Sequence, residues 1–349
     1  MSPTAPRQMW LALLGSPTAD ALEGVHVRTD GGIVIAGFTN GSLPGAKSSG
    51  YYDGFIARYG PSGVRESVLQ FGTAQADYVY SISSAADKSG SVFVGGCTEG
   101  SWGTERNKGS FDIFLAKFDP GHDAPAWVTQ FGSSSYEWLY ASAALGQGDV
   151  LIGGTSLGVV AGPASFGGHD CWVGRVDGAT GRSRWLRQFG SAGNDWVYAV
   201  AAHEPSGHLA VGGVTKGSMA GPNQGKSDVW LARFDQDGRQ VWLVQEGSAE
   251  VDFLHALAVD GDAVFAGGYT AGAFGAPSAP ADGPVSTGGT HAWVAKYSFE
   301  DGKRVWVHQF PTQVYWSVRV GSLFNGVNVR FAPFAGGKKR LPLRTCDAP

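Results

Sequence analysis

The sequence predicts an all-β protein, a β-propeller of four-stranded blades. Three observations predict it: one unit recurs along the whole chain, each unit divides into four strand-like segments, and those segments are apolar on both faces. The recurrence is aligned by a Gly that closes a Trp-x-x-Gln-Phe-Gly stretch. "WLALLG" ends at Gly15, "SVLQFG" at Gly72, "WVTQFG" at Gly132, "WLRQFG" at Gly190 and "WLVQEG" at Gly247, and "WVHQFP" ends at Pro311. Successive steps are 57, 60, 58, 57 and 64 residues. A period of that size, with several residue types at constant offset, marks a repeat architecture.

Each unit opens with an acid five residues after its glycine: Asp20, Asp77, Glu137, Asp195 and Asp252. A first strand follows, "DWVYAVAA" in the fourth copy. The second strand ends in "AGFTNG", "GGCTEG", "GGTSLG", "GGVTKG" or "GGYTAG", which puts Gly37, Gly96, Gly154, Gly213 and Gly268 in register. The third reads "DGFIARY", "DIFLAKF", "DCWVGRV", "DVWLARF" and "HAWVAKY", and a Gly/Asp turn leads into the fourth. β-branched and aromatic residues bounded by Gly, Asp, Ser or Pro favour strands. Apolar residues on both faces require a sheet covered on both sides, as in radially stacked blades.

Composition agrees. Of 349 residues 43% are hydrophobic and 16% charged, enough to bury a large core, and 54 are Gly without a collagen period. The net charge of −4 offers no basic excess for phosphates, so nucleic acid is not an expected partner. No apolar run reaches the length of a membrane span. "MWLALLG" has the short apolar core of a signal peptide, but Arg7 is its only basic companion and the repeat accounts for these residues. Cys97, Cys171 and Cys346 are odd in number and lack CxxC spacing, which argues against a disulfide framework or structural zinc.

The stretch "WLRQFGSAGNDWVYAVAAHEPSGHLAVGGVTKGS…SDVWLARFDQDGRQVW" resembles the seven-bladed β-propeller repeat family (SBBP), over residues 10 to 310. The resemblance implies a propeller, commonly in exported or surface-associated proteins and usually without an assigned activity. Five full copies, not seven, occur here. The blades are expected at about 20–71, 77–131, 137–189, 195–246 and 252–310. A split sixth blade would take residues 8–14 as its outer strand and 314–334 as inner strands, with 1–7 a disordered N-terminus and 335–349 a loose basic tail. Such sharing would lock a ring that otherwise leaves two sheet faces open.

Candidate chemistry lies in the repeat-wide acids and in the places where copies differ. Asp20, Asp77, Glu137, Asp195 and Asp252 begin the strands expected to line the channel. Gathered at one mouth, they would hold Ca²⁺ or Mg²⁺; the plainer reading is that each caps its own loop. Asp53, Asp112, Asp170 and Asp228 each precede a base by five residues (Arg58, Lys117, Arg175, Arg233), an odd spacing that sends the pair to opposite faces of one strand. Inter-blade bonding is the expected use, and His291 breaks the series in the fifth copy. The loop between second and third strands is lengthened in that copy by "AFGAPSAPADGPVSTGGT" (273–290). Trp102, Phe166, Phe274 and His291 on that face form the candidate binding site. No nucleophile elbow, P-loop, zincin or dinucleotide fingerprint occurs. The expected function is a non-catalytic scaffold, monomeric and without a cofactor, that binds a protein or glycan. The alternatives are a cation-binding or enzymatic propeller using the carboxylate ring, and a fragment of a larger exported repeat protein. The compartment is cytoplasmic by default, extracytoplasmic if the resemblance governs.

Overall fold

The computed structural model describes residues 10–85, 87, 89–274 and 289–310, together with the backbone of two strands, Trp316–Ser322 and Val327–Pro333. Five antiparallel four-stranded sheets follow one another, each in simple sequential order. The first holds β1 (Asp20–Val27), β2 (Ile33–Thr39), β3 (Asp53–Tyr59) and β4 (Arg65–Phe71); the second β5 (Asp77–Ser84), β6 (Val92–Thr98), β7 (Asp112–Phe118) and β8 (Trp127–Phe131). The third holds β9 (Glu137–Ala144), β10 (Val150–Ser156), β11 (Asp170–Val176) and β12 (Ser183–Phe189), and the fourth β13 (Asp195–His203), β14 (His208–Thr215), β15 (Asp228–Phe234) and β16 (Gln240–Glu246). The fifth holds β17 (Asp252–Asp260), β18 (Ala263–Thr270), β19 (His291–Ser298) and β20 (Arg304–Phe310). The first strands β1, β5, β9, β13 and β17 stand side by side, each sheet packing on the next. This is a β-propeller of four-stranded blades. Among the described residues no helix is long and apolar enough to cross a membrane.

The glycine pair of the second strand fits two separate contacts. A Cβ on Gly96, Gly154, Gly213 or Gly268 would come within 1.8, 1.8, 1.7 and 1.8 Å of the carbonyl oxygen of Tyr78, Trp138, Trp196 or Phe253 on the neighbouring first strand. The other member faces the next blade: a Cβ on Gly95, Gly153 or Gly212 would lie 2.8, 2.9 or 2.9 Å from Leu139, Val197 or Leu254. Those three side chains are fully buried. The pair therefore lets strands and blades approach at once.

Blades are also stitched by backbone and side chain. The amides of Asp77, Glu137, Asp195 and Asp252 donate to the carbonyls of Tyr52, Phe111, His169 and Ser227 in the preceding blade, at 2.7–3.0 Å. On the rim, the indoles of Trp10, Trp127, Trp185 and Trp242 donate forward to the carbonyls of Pro61, Gly178, Gln236 and Phe299 in the next blade's last turn. Three of these rings lie over Gly63, Gly181 and Gly238 at positive φ, and Trp242 lies likewise over Gly302. Here glycine is required twice, by the left-handed backbone and by the ring above it. Three of the four bases serve the same purpose, while Lys117 lies 3.9 Å from Asp119 of its own blade. Arg58 donates to Gly90 O, Arg175 to Gln236 O, and Arg233 to the carbonyls of Phe299 and Glu300.

The two ends of the stack differ. A two-stranded sheet, β21 (Trp316–Ser322) and β22 (Val327–Pro333), stands with β21 against β17, where a sixth first strand belongs. Residues 10–14, expected as an outer strand of that blade, form no strand, although Trp10 docks on blade one as its counterparts do on theirs; residues 8–9 lie outside the described residues. Among the described residues nothing covers the outer face of blade one. Leu22 is 54% exposed, whereas its equivalents Val79, Leu139, Val197 and Leu254 are at 0%.

Candidate functional site

Each of the five acids accepts hydrogen bonds from its own loop. Asp77 accepts from the amide and hydroxyl of Thr73, Asp195 from those of Ser191, Asp252 from those of Ser248, Glu137 from those of Ser133, and Asp20 from those of Ser16. Threonine or serine at the end of strand two adds a further bond: Thr39 to Asp20 and Ser156 to Glu137. Each carboxylate thus closes the five-residue connection that enters its blade. Among the described residues no three His, Cys, Asp or Glu side chains are placed to hold one metal ion. Burial raises the pKa of Asp77 to about 6 and pushes Glu137, Asp195 and Asp252 upward as well, since a buried carboxyl resists ionisation.

The second acid series is paired with the Gln of the repeat. Gln70, Gln130, Gln188 and Gln245 donate through Nε2 to Asp53, Asp112, Asp170 and Asp228. The same amides donate to the carbonyls of Gly41, Gly100, Gly158 and Gly217. Their Oε1 atoms accept from the amides of Leu43, Trp102, Val160 and Met219, and Gln309 accepts likewise from Phe274. One glutamine therefore clamps each loop between second and third strands at both ends.

That clamp explains where the predicted binding residues go. Trp102 and Phe274 occupy one equivalent position and turn inward: Trp102 stacks on Phe114 at 5.7 Å, and Phe274 on Trp293 at 4.6 Å. Phe274 is 4% exposed, so it anchors its loop and offers no face to a ligand. His291 is buried in the acid's place, in register with Thr270. Phe166 alone is exposed, and the structure does not bring these four together on an open surface. Most of the 273–290 insertion, residues 275–288, lies outside the described residues.

A different constellation emerges on the first strands. In every blade the pairing of strand one with strand two skips one residue, three after the acid: Glu23, Tyr80, Tyr140, Tyr198 and His255. A β-bulge re-aims its side chain out of the ladder. The bulge rings touch from blade to blade: Tyr80 to Tyr140 at 5.5 Å, Tyr140 to Tyr198 at 5.7 Å and Tyr198 to Phe253 at 4.6 Å. Phe253 continues to His255 at 4.6 Å and to Tyr269 at 5.1 Å. A second tier runs Tyr136, Trp138, His169 and Trp196 at 5.4–5.8 Å, with the Lys216 ammonium 5.5 Å from the Trp196 ring. The first run forms an aromatic wall along neighbouring inner strands; in the second, Tyr136 and His169 lie just before β9 and β11 and Trp138 is buried.

Three rings of the wall, Tyr198, Tyr269 and His255, are held toward their neutral forms. Burial pushes the Tyr198 phenol well up and the Tyr269 phenol upward. His255 is open to solvent but walled by Phe253 and Tyr269, and loss of hydration holds its imidazolium pKa below the ordinary value. Neutral rings with hydroxyl and imidazole hydrogen-bonding edges stack and orient a ligand. They do not exchange protons readily at pH 7. The signal was present in the sequence as "DYVY", "EWLY", "DWVY" and "DFLH", an acid followed by aromatics at one and three residues, with "DALE" as the departure in blade one.

No protein-family model matches the chain, and no curated protein does. The fold is similar to that of several solved structures. The acylaminoacyl peptidase of Pyrococcus horikoshii superposes with a TM-score of 0.45 and 11% identity, covering 90% of this chain and 42% of that one. The quinohemoprotein alcohol dehydrogenase of Comamonas testosteroni gives 0.45 and 13%, covering 84% and 53%. BamB of Moraxella catarrhalis gives 0.40 and 12%, covering 92% and 95%. The chain spans about half the length of the first two.

Proposed function

We propose that this propeller is a rigid, non-catalytic binding scaffold built from SBBP-like repeats, and that the aromatic wall of its inner strands is the recognition surface for a protein or glycan partner. One observation carries the reading. A bulge at the same place in every blade takes a side chain out of the ladder, and in three adjacent blades that side chain is tyrosine. Packing alone does not call for it, because blade one folds with Glu23 there and blade five with His255. The test is a comparison of wild type with Tyr198→Ala and His255→Ala on glycan and peptide arrays. Binders lost in both variants, with melting temperatures nearly unchanged, support the reading; binders retained by both place recognition elsewhere.

A second reading keeps the acids as a cation site. It is favoured by Asp53, Asp112 and Asp170, each fully buried with one carboxylate oxygen lacking a hydrogen-bond partner. A glycine Cβ at residue 72, 132 or 190 would lie within 3.0 Å of both that oxygen and the acid of the next blade. Melting with and without Ca²⁺ or Mg²⁺ separates the two. A saturable rise abolished by Asp77→Asn with Asp195→Asn supports ions at these junctions, and no rise leaves them as loop caps.

A further inference from the structure

A polar recess of about 490 Å³ opens between the third and fourth blades, on the face opposite the acid-capped loops. It is lined by Gln147, Asp149, Arg175, Arg184, Gln236 and Asp237, with the Trp185 indole at its edge. The polar groups are held in place before any ligand arrives. Asp149, 5% exposed at its side chain, accepts from Arg175 Nε at 2.6 Å and from Arg184 Nε at 2.8 Å. Arg184 also donates to Asp177 at 2.8 Å, and Trp185 Nε1 donates to Gln236 O at 2.8 Å. Groups fixed by their neighbours lose little entropy on binding.

The pairing of Asp149 with Arg184, which sets this chemistry, is private to one seam. Asp149 stands at the head of strand two, where the other blades carry Gly32, Ser91, His208 and, the one other acid, Asp262. Arg184 directly precedes the rim position, where they carry Glu66, Ala126, Val241 and Val305. The scaffold closes its other seams without them. Formal charge is balanced, Asp149 and Asp237 against Arg175 and Arg184, so the lining favours neither an anion nor a cation. It presents carboxylate acceptors, guanidinium and amide donors and a patch of indole within one small concavity. A sugar hydroxyl both donates and accepts, and a pyranose has an apolar C–H face, so this mixture matches a neutral saccharide.

We propose that the recess between blades three and four is a saccharide subsite that takes one or two residues of a neutral glycan. It is distinct from the aromatic wall, and the test distinguishes them. The full chain is titrated with maltose, cellobiose and N,N′-diacetylchitobiose, following intrinsic tryptophan fluorescence and saturation-transfer NMR, with inorganic phosphate and spermidine as charged controls. The expected result is saturable binding of at least one disaccharide, weakened about tenfold or more in Arg184→Ala and in Gln147→Ala, and unchanged in Tyr198→Ala. Gln147 is exposed, so Gln147→Ala is expected to keep the wild-type melting temperature; Arg184→Ala removes one of the two guanidinium partners of the buried Asp149, and Gln147→Ala decides the test where that variant melts lower. Three results overturn the proposal: none of the disaccharides saturates, phosphate or spermidine binds here in their place, or sugar binding survives both recess variants and is lost in Tyr198→Ala.

Discussion

The buried acids and the wall histidine titrate in opposite senses, which makes them separable residue by residue. Asp77 has its folded-state pKa raised to about 6, chiefly by burial. Its proton is held more tightly in the folded protein. Its contribution to stability is therefore fully present below the unfolded value near 4 and is lost as pH rises through about 6. Comparing urea unfolding of wild type and Asp77→Asn from pH 7 to pH 4, the difference should move toward wild type by on the order of 2 kcal/mol as pH falls. A flat difference would mean that Asp77 ionises as freely folded as unfolded. His255 is the reverse case, with its folded pKa depressed. Its contribution is present above the unfolded value near 6.5 and is lost as pH falls toward the folded one. His255→Gln should gain on wild type in melting temperature between pH 7 and pH 5; a parallel pair of profiles would show that the channel hydrates the ring.

At the scale of the element, the bulge and the glycine pair are one device. Pushing strand one outward brings the Trp196 carbonyl onto Gly213, and the skipped residue, Tyr198, is released from the ladder. Gly213→Ala places a methyl 1.7 Å from that oxygen, so the strand must shift or the bulge must close. A loss of about 2–4 kcal/mol is expected, with altered fluorescence from Trp196; an unchanged melt would show that the close approach is not required. Coupling between elements also explains the missing rim tryptophan. Ser67 stands where the other copies have indole, and the facing turn of blade two differs to match: the Pro120 carbonyl is met by His122 of its own turn, at 3.1 Å. The glycine under the indole is absent at that position, and nothing lies within 4 Å of a Cβ at Gly121.

At the scale of the molecule, each blade needs a layer on both sides, and among the described residues the first blade has one on a single side. Leu22, Val25 and Val27 are 54, 48 and 40% exposed, beside Leu11 at 75% and Leu13 at 92%. Position decides the cost of a charge here. Leu22→Asp should change stability by no more than about 0.5 kcal/mol, as expected of an exposed site. Leu139→Asp, at the same repeat position in blade three but fully buried, should abolish a cooperative melt. Equal damage from both would show that a further layer covers β1, and the split sixth blade made with β21–β22 would then be the closing element.

The sequence by itself determined five units of four strands and their approximate limits, because each rests on local information: a constant offset, a two-sided apolar strand, a Gly where two backbones meet. The acid-to-loop bonds were equally local, spanning four residues, and capping was one of the two readings that the spacing allowed. What only the tertiary structure decided is which side chains face one another across blades. Trp102 and Phe274 looked free in a loop, but a glutamine about thirty residues away draws each inward. Tyr80, Tyr140 and Tyr198 looked like ordinary strand aromatics, and only the skipped pairing shows that they leave the ladder and meet. Asp149 and Arg184 lie thirty-five residues apart, and no periodicity announces that they share one recess. Repetition writes the scaffold into the chain many times over; a contact between non-equivalent residues is written once, and it becomes visible when the blades are stacked.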